Sequence, residues 1–154
     1  MRTIDNLLSQ YGESHQNPTN KLVHWVCVPA IFFSIVGLLY SVKFPVNITL
    51  DLPLNAAIVA LFLAVVYYFR LSAPLAVGMI LFSLACLSLA QGIEDTVYSL
   101  WKVSIAIFVV AWAVQFWGHK IEGKKPSFLK DIQFLMIGPA WLMHFIYKKL
   151  GIAY

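Results

Sequence analysis

His15, His24, His119 and His144 each stand at or near the end of an apolar segment of the chain. Imidazole is costly to bring toward a bilayer, so several histidines gathered at one membrane face point to a site, and the chemistry that suits them is metal binding. Their sequence neighbours are polar. Tyr11 lies four residues before His15 and Asn20 four before His24, which gives each histidine a polar companion on its own helix face. Gln115, His119 and Glu122 share one face if their helix runs past Gly118, a residue small enough to let a second helix approach closely. The spacing of three between His119 and Glu122 lets a histidine and a carboxylate address one metal from one helix. That leaves Glu122 open as a ligand, as the group that orients His119, or as a solvated residue.

His15 and His24 are nine residues apart, and on one unbroken helix they would point to opposite sides. Asn17-Pro18 between them removes that constraint. The residue before a proline is driven out of the α region, so a first helix must end there; Asn17 can then cap a second helix that carries Pro18 in its first turn. Plainer readings exist for each residue. A single interfacial histidine is commonly a headgroup-level polar group, Tyr11 can be a surface-helix residue, Asn17 and Asn20 cap and turn residues, and Gln115 a partner for a neighbouring helix. The argument for a metal rests on three histidines sharing one face.

The elements that position them belong in a membrane. The chain has 154 residues, of which 60% are hydrophobic and 12% charged, with a mean hydropathy of +0.77. Four stretches, Leu22 to Val42, Leu54 to Phe69, Ala73 to Ala90 and Val103 to Gly118, approach the roughly 17 to 25 residues that cross hydrocarbon as a helix. A fifth, Ile132 to Leu150, is interrupted by Gly138-Pro139 and carries His144, and it is expected to be broken or re-entrant. Ahead of the first span, Ile4, Leu7, Leu8 and Tyr11 recur at helical spacing opposite Asp5, Asn6 and Gln10, the pattern of an amphipathic helix on the membrane surface. The expected fold is an all-α integral membrane bundle forming one domain over 1–154, with the surface helix in 1–16 and the bundle in 18–150. No cleaved leader is expected, and Cys27 and Cys86, near opposite faces, are not expected to pair.

With the N-terminus inside, the cytoplasmic side holds Arg2, Lys21, Arg70, Lys120, Lys124, Lys125 and Lys130, against Lys43 and Lys102 on the far side with Asp51, Glu94 and Asp95. That imbalance sets the orientation. His15, His24 and His119 then meet at the cytoplasmic face, and His144 joins them only if the fifth segment turns back. The sequence pI of about 9.1 is explained by this topology and by anionic headgroups, not by nucleic acid, since no basic run is interleaved with exposed aromatics.

Tyr11-x3-His15-x-Asn17-x2-Asn20-x3-His24-x4-Pro29, followed by Gln115-Phe116-x-Gly118-His119-x2-Glu122-x3-Pro126 and Gly138-Pro139, resembles the membrane 2-hydroxy fatty acid dioxygenase family, whose characterised fungal member is an endoplasmic-reticulum enzyme. The resemblance extends over nearly the whole chain, although the middle spans match in hydrophobic character alone. It implies an Fe(II)-dependent α-oxidation in which a 2-hydroxy fatty acid and O2 yield a fatty acid one carbon shorter. His15, His24 and His119 take the family's histidine positions, whereas His144 as a fourth metal ligand rests on topology. Tyr11, Asn20, Gln115 and Glu122 are expected to support the site or meet substrate. The membrane would be a bacterial inner membrane, or the endoplasmic reticulum in a eukaryote.

Other classes use similar residues. A zinc-dependent lipid hydrolase would carry zinc and consume no O2. A haem carrier would need axial histidines deep between helices, whereas these lie at helix ends. A scaffold or transporter would tolerate loss of the histidines, and the chain has neither an internal repeat nor a polar midplane site of the transporter kind.

Overall fold

A computed structural model of the chain describes residues 2–49, 52–123 and 128–154. In chain order it contains α1 (Thr3–Glu13), α2 (Pro18–Tyr40), a ribbon of β1 (Lys43–Thr49) and β2 (Leu52–Asn55), α3 (Ala56–Leu71), α4 (Ala73–Glu94), α5 (Leu100–Glu122) and α6 (Phe128–Leu150). Asp51 of the far-side charge count lies outside the described residues, as do Lys124, Lys125 and Pro126. The protein is an all-α membrane bundle. α2, α4 and α5, with 23, 22 and 23 residues, are long and apolar enough to cross a membrane, and α3 is a shorter apolar helix of 16 residues.

Local chemistry sets the helix boundaries. Asn17 caps α2 as the sequence predicts, its side chain accepting from the Thr19 N–H at 2.9 Å and from the Asn20 N–H, with Pro18 in the first turn. Asn55 caps α3 through the Ile58 N–H, and Ser72 caps α4 through the Leu75 N–H. Each cap satisfies a donor that the first helical turn leaves open. α5 stops at Gly123, whose φ of 71° is left-handed, a conformation that costs glycine little and other residues more.

The helices run between two ends. At one end, Lys43 pairs with Asn55 across the ribbon, and its ammonium meets Glu94, at the end of α4, at 2.7 Å. At the other, the hydroxyl of Tyr68 near the end of α3 donates to the Met136 carbonyl, and that of Tyr147 donates to the carbonyl of Pro74 at the start of α4. α3 therefore traverses the bundle despite its length. The ribbon accounts for the residues between α2 and α3, where the sequence pattern shows only an interruption in hydropathy. Phe32, Val36, Leu61, Tyr68, Met79 and Cys86 form the main core among α2, α3 and α4. Cys27 and Cys86 are both free and buried.

Two expectations change. The C-terminal segment is not broken at Gly138-Pro139: α6 is one continuous helix with Pro139 inside it. It nevertheless stays at one end of the bundle, because Met136, Gly138, Trp141 and Tyr147 all meet residues of that end, namely Tyr68, Tyr11, His15 and Pro74. The chain reaches the geometry expected of a re-entrant segment by laying an unbroken helix across the bundle. Secondly, the apolar stripe of α1 is not spent on the membrane surface. Ile4, Leu8 and Tyr11 are buried together with Ile137, Trp141 and Leu142 of α6, and each large apolar side chain so buried contributes about 1.5–3 kcal/mol.

Candidate metal centre

At the end where α1, α2, α5 and α6 meet, three histidines converge. The candidate ligand nitrogens of His15, His24 and His119 all lie within 4.8 Å of one another. Ring centroids are 4.1 Å apart for His15 and His24, 5.4 Å for His15 and His119, and 5.0 Å for His24 and His119. His15 and His24 are buried, and His119 is half-buried at the rim.

The protonation pattern of the first two follows from their partners. His15 Nδ1 donates to the Tyr11 carbonyl at 2.6 Å, and His24 Nδ1 donates to the Asn20 carbonyl at 2.9 Å. A carbonyl can only accept, so each ring carries its proton on Nδ1. The two Nε2 atoms then face one another at 2.9 Å with lone pairs toward each other. Two acceptors held this close in a buried place repel unless a cation or an additional proton lies between them. Metal-ligating histidines characteristically donate their other N–H to a carbonyl in this way, so the donor set fits a metal ion.

Three contacts bring the ligands together. The α1–α2 turn is tied to the end of α5 by Glu122, whose carboxylate accepts from the Gln16 N–H at 2.8 Å, the Asn17 N–H at 2.9 Å and Asn20 Nδ2 at 3.0 Å. The geometry gives Glu122 a role outside the three open to it in the sequence, that of a strap: its oxygens are bonded to the turn between His15 and His24 and to Asn20. Gly118 brings α5 against α2, because a Cβ there would lie 2.6 Å from Asn20 Oδ1 and 3.1 Å from Val23 Cγ1. Tyr11 stacks on His15 with centroids 4.2 Å apart and planes 12° from parallel.

Asn20 thus serves twice, its carbonyl fixing His24 and its amide holding Glu122. Gln115 is buried on α5 one turn before His119. His144 is not drawn into the group: Nδ1 of its ring bonds the Tyr154 hydroxyl, one turn beyond Trp141 along the uninterrupted α6. Burial, assisted by the charge of Lys148, pushes the His144 imidazole below its ordinary pKa. Sequence reasoning missed Trp141, which is buried against both His15, at 5.5 Å, and Tyr11, at 5.2 Å. Its one sequence signal is its position three residues after Gly138, which is close-packed against Tyr11.

Two expectations follow directly. Glu122→Ala removes the acceptor shared by Gln16, Asn17 and Asn20 and should weaken metal affinity about 10- to 100-fold, read by competitive chelator titration, with the helical content kept. His144→Ala should leave metal content per chain unchanged by elemental analysis; loss of a full equivalent would make it a ligand.

The bundle and its histidine cluster define a helical membrane protein with a candidate metal centre at one end. The chain belongs to the Mpo1-like family: the family model described as "2-hydroxy-palmitic acid dioxygenase Mpo1-like" matches residues 1–150. It is 32% identical over 146 residues to the 2-hydroxy-palmitic acid dioxygenase MPO1 of Saccharomyces cerevisiae, a match that covers 94% of this chain and 79% of the relative. No solved structure matches it.

Proposed function

We propose that the protein is an Fe(II)-dependent dioxygenase that shortens 2-hydroxy fatty acids by one carbon, with His15, His24 and His119 as metal ligands. The observation that carries the metal is the pair of facing Nε2 atoms, and the substrate class comes from the family and the yeast relative. Iron rather than zinc is proposed because the family's reaction is an oxidation by O2, which a redox-inactive zinc ion does not support. His15, His24 and His119 would hold the iron, which would supply the redox chemistry for cleaving the C1–C2 bond of the substrate.

The reaction balances without a co-reductant. RCH(OH)COOH and O2 give RCOOH, carbon dioxide and water, the four electrons coming from the substrate itself. The chain's own part is to hold its ligands ready. The carbonyls of Tyr11 and Asn20 keep both Nε2 atoms unprotonated, Tyr11 and Trp141 fix the His15 ring, and Glu122 holds the turn. Tyr11 and Trp141 also exclude water from that side, both being buried. Gln115, buried on α5 one turn before His119, is the residue assigned here to the substrate headgroup. The chain works as one membrane domain, with the site and N-terminus on the cytoplasmic side according to its lysines and arginines.

Purified protein supplied with 2-hydroxypalmitate should consume O2 and form pentadecanoic acid in equal amounts with iron, and neither with zinc. O2-independent release of a fatty acid with zinc bound would instead support the lipid hydrolase.

A further inference from the structure

α5 is the most lipid-exposed of the three long apolar helices, with α2 as its principal neighbour. One flank of it carries an aromatic ladder. Phe108, Trp112 and Phe116 follow each other at intervals of four, with centroids 6.0 Å apart for the first pair and 5.3 Å for the second. Trp112 and Phe108 lie within about 40° of His119 on a helical wheel, so the ladder descends from the metal centre toward the far end. Phe108 and Trp112 are half-buried beside Leu135 of α6 and above Cys27 and Ile31 of α2.

We propose that this flank is the groove for the acyl chain of the substrate, with Trp112 as its specificity-determining residue. The inference rests on the proposed reaction for the identity of the headgroup, and on geometry for the path of the tail. Among the described residues, other sides of the centre are already occupied. Tyr11 and Trp141 wall it toward α1 and α6, Glu122 straps the turn, and Gly118 packs α5 against α2 without clearance. From His119 to Phe108 the helix rises about 16 Å, the length of an extended chain of roughly a dozen methylenes. A headgroup at the histidines would therefore lay a long tail over the whole ladder, while a short one would end near Trp112.

The test is photolabelling of the full-length protein in lipid nanodiscs with a 2-hydroxy fatty acid bearing a mid-chain diazirine, mapped by mass spectrometry. Label should fall on Phe108, Trp112 or Phe116 and be reduced at least fivefold by excess 2-hydroxypalmitate. Label spread over Val109 and Val110 on the outer face, or indifferent to competitor, would overturn the groove. A kinetic arm reads the same point: Trp112→Ala should lower the kcat/KM preference for a sixteen-carbon over an eight-carbon 2-hydroxy acid about tenfold. Trp112→Phe should restore it, with metal content constant throughout, and an unchanged preference would also refute the assignment. A competed label on the ladder in protein that turns over neither acid would uphold the groove and reject the reaction.

Discussion

Replacing His24 with glutamine should abolish metal retention and lower activity by more than about 100-fold, because it removes a proposed ligand from the centre while nearly keeping its volume. His24 is the residue to choose: it is 1% exposed, its Nδ1 is held by the Asn20 carbonyl, and its Nε2 faces that of His15. Glutamine fills the space but cannot present an aromatic nitrogen lone pair. The variant should keep its helical content and sedimentation behaviour, since the α2 cap at Asn17 and the α1–α6 contact do not involve the ring. Metal analysis after size-exclusion chromatography checks it. Retention of a full equivalent of metal would remove His24 from the ligand set.

Gly118→Ala gives the second large effect, and it acts without touching a ligand. Its Cβ would enter the space held by Asn20 Oδ1, 2.6 Å away, and press on the branched Val23. Asn20 has little room to yield, because its amide is bonded to Glu122 and its carbonyl to His24. α5 must therefore move off α2 and carry His119 with it. Overpacking of this kind costs about 1–3 kcal/mol of stability. The displaced ligand should also weaken metal affinity about 10- to 100-fold. Gly92→Ala on α4 is the matched control, since nothing lies within 4 Å of its added Cβ. It should leave metal affinity unchanged, and equal losses in both variants would refute the close-approach explanation.

Much of this centre is legible in the order of residues, for identifiable reasons. The Asn17-Pro18 bend rests on local sterics and a cap, so the sequence alone predicts that His15 and His24 can face one point, and their Nε2 atoms do so at 2.9 Å. Gly118 likewise marks a close helix contact, because the absence of a side chain can be read directly. Glu122 was less determined: a carboxylate three residues after His119 fits a ligand, a partner that orients His119 or a solvated residue, and its bonds to the Gln16 and Asn17 N–H groups depend on the tertiary position of the α1–α2 turn, which spacing does not report. α6 was least legible. Gly138-Pro139 signals a break when helix propensity is considered alone, but α6 continues through Pro139 with Ile137, Ala140, Trp141 and Leu142 buried around it. That continuity carries His144 past the centre to Tyr154 and brings Trp141 to His15. The amphipathic stripe of α1 has the same ambiguity, since periodicity reports an apolar face without saying whether lipid or another helix covers it.

The central claim is that three histidines hold one iron. Its most direct test is elemental analysis of protein purified anaerobically and reconstituted with ferrous iron, wild type beside His15→Ala, His24→Gln and His119→Ala. About one iron per chain in wild type, lost in each of the three variants, is the expected result. Wild-type protein that retains no iron and stays inactive on iron addition, or variants that bind as much as wild type, would contradict it.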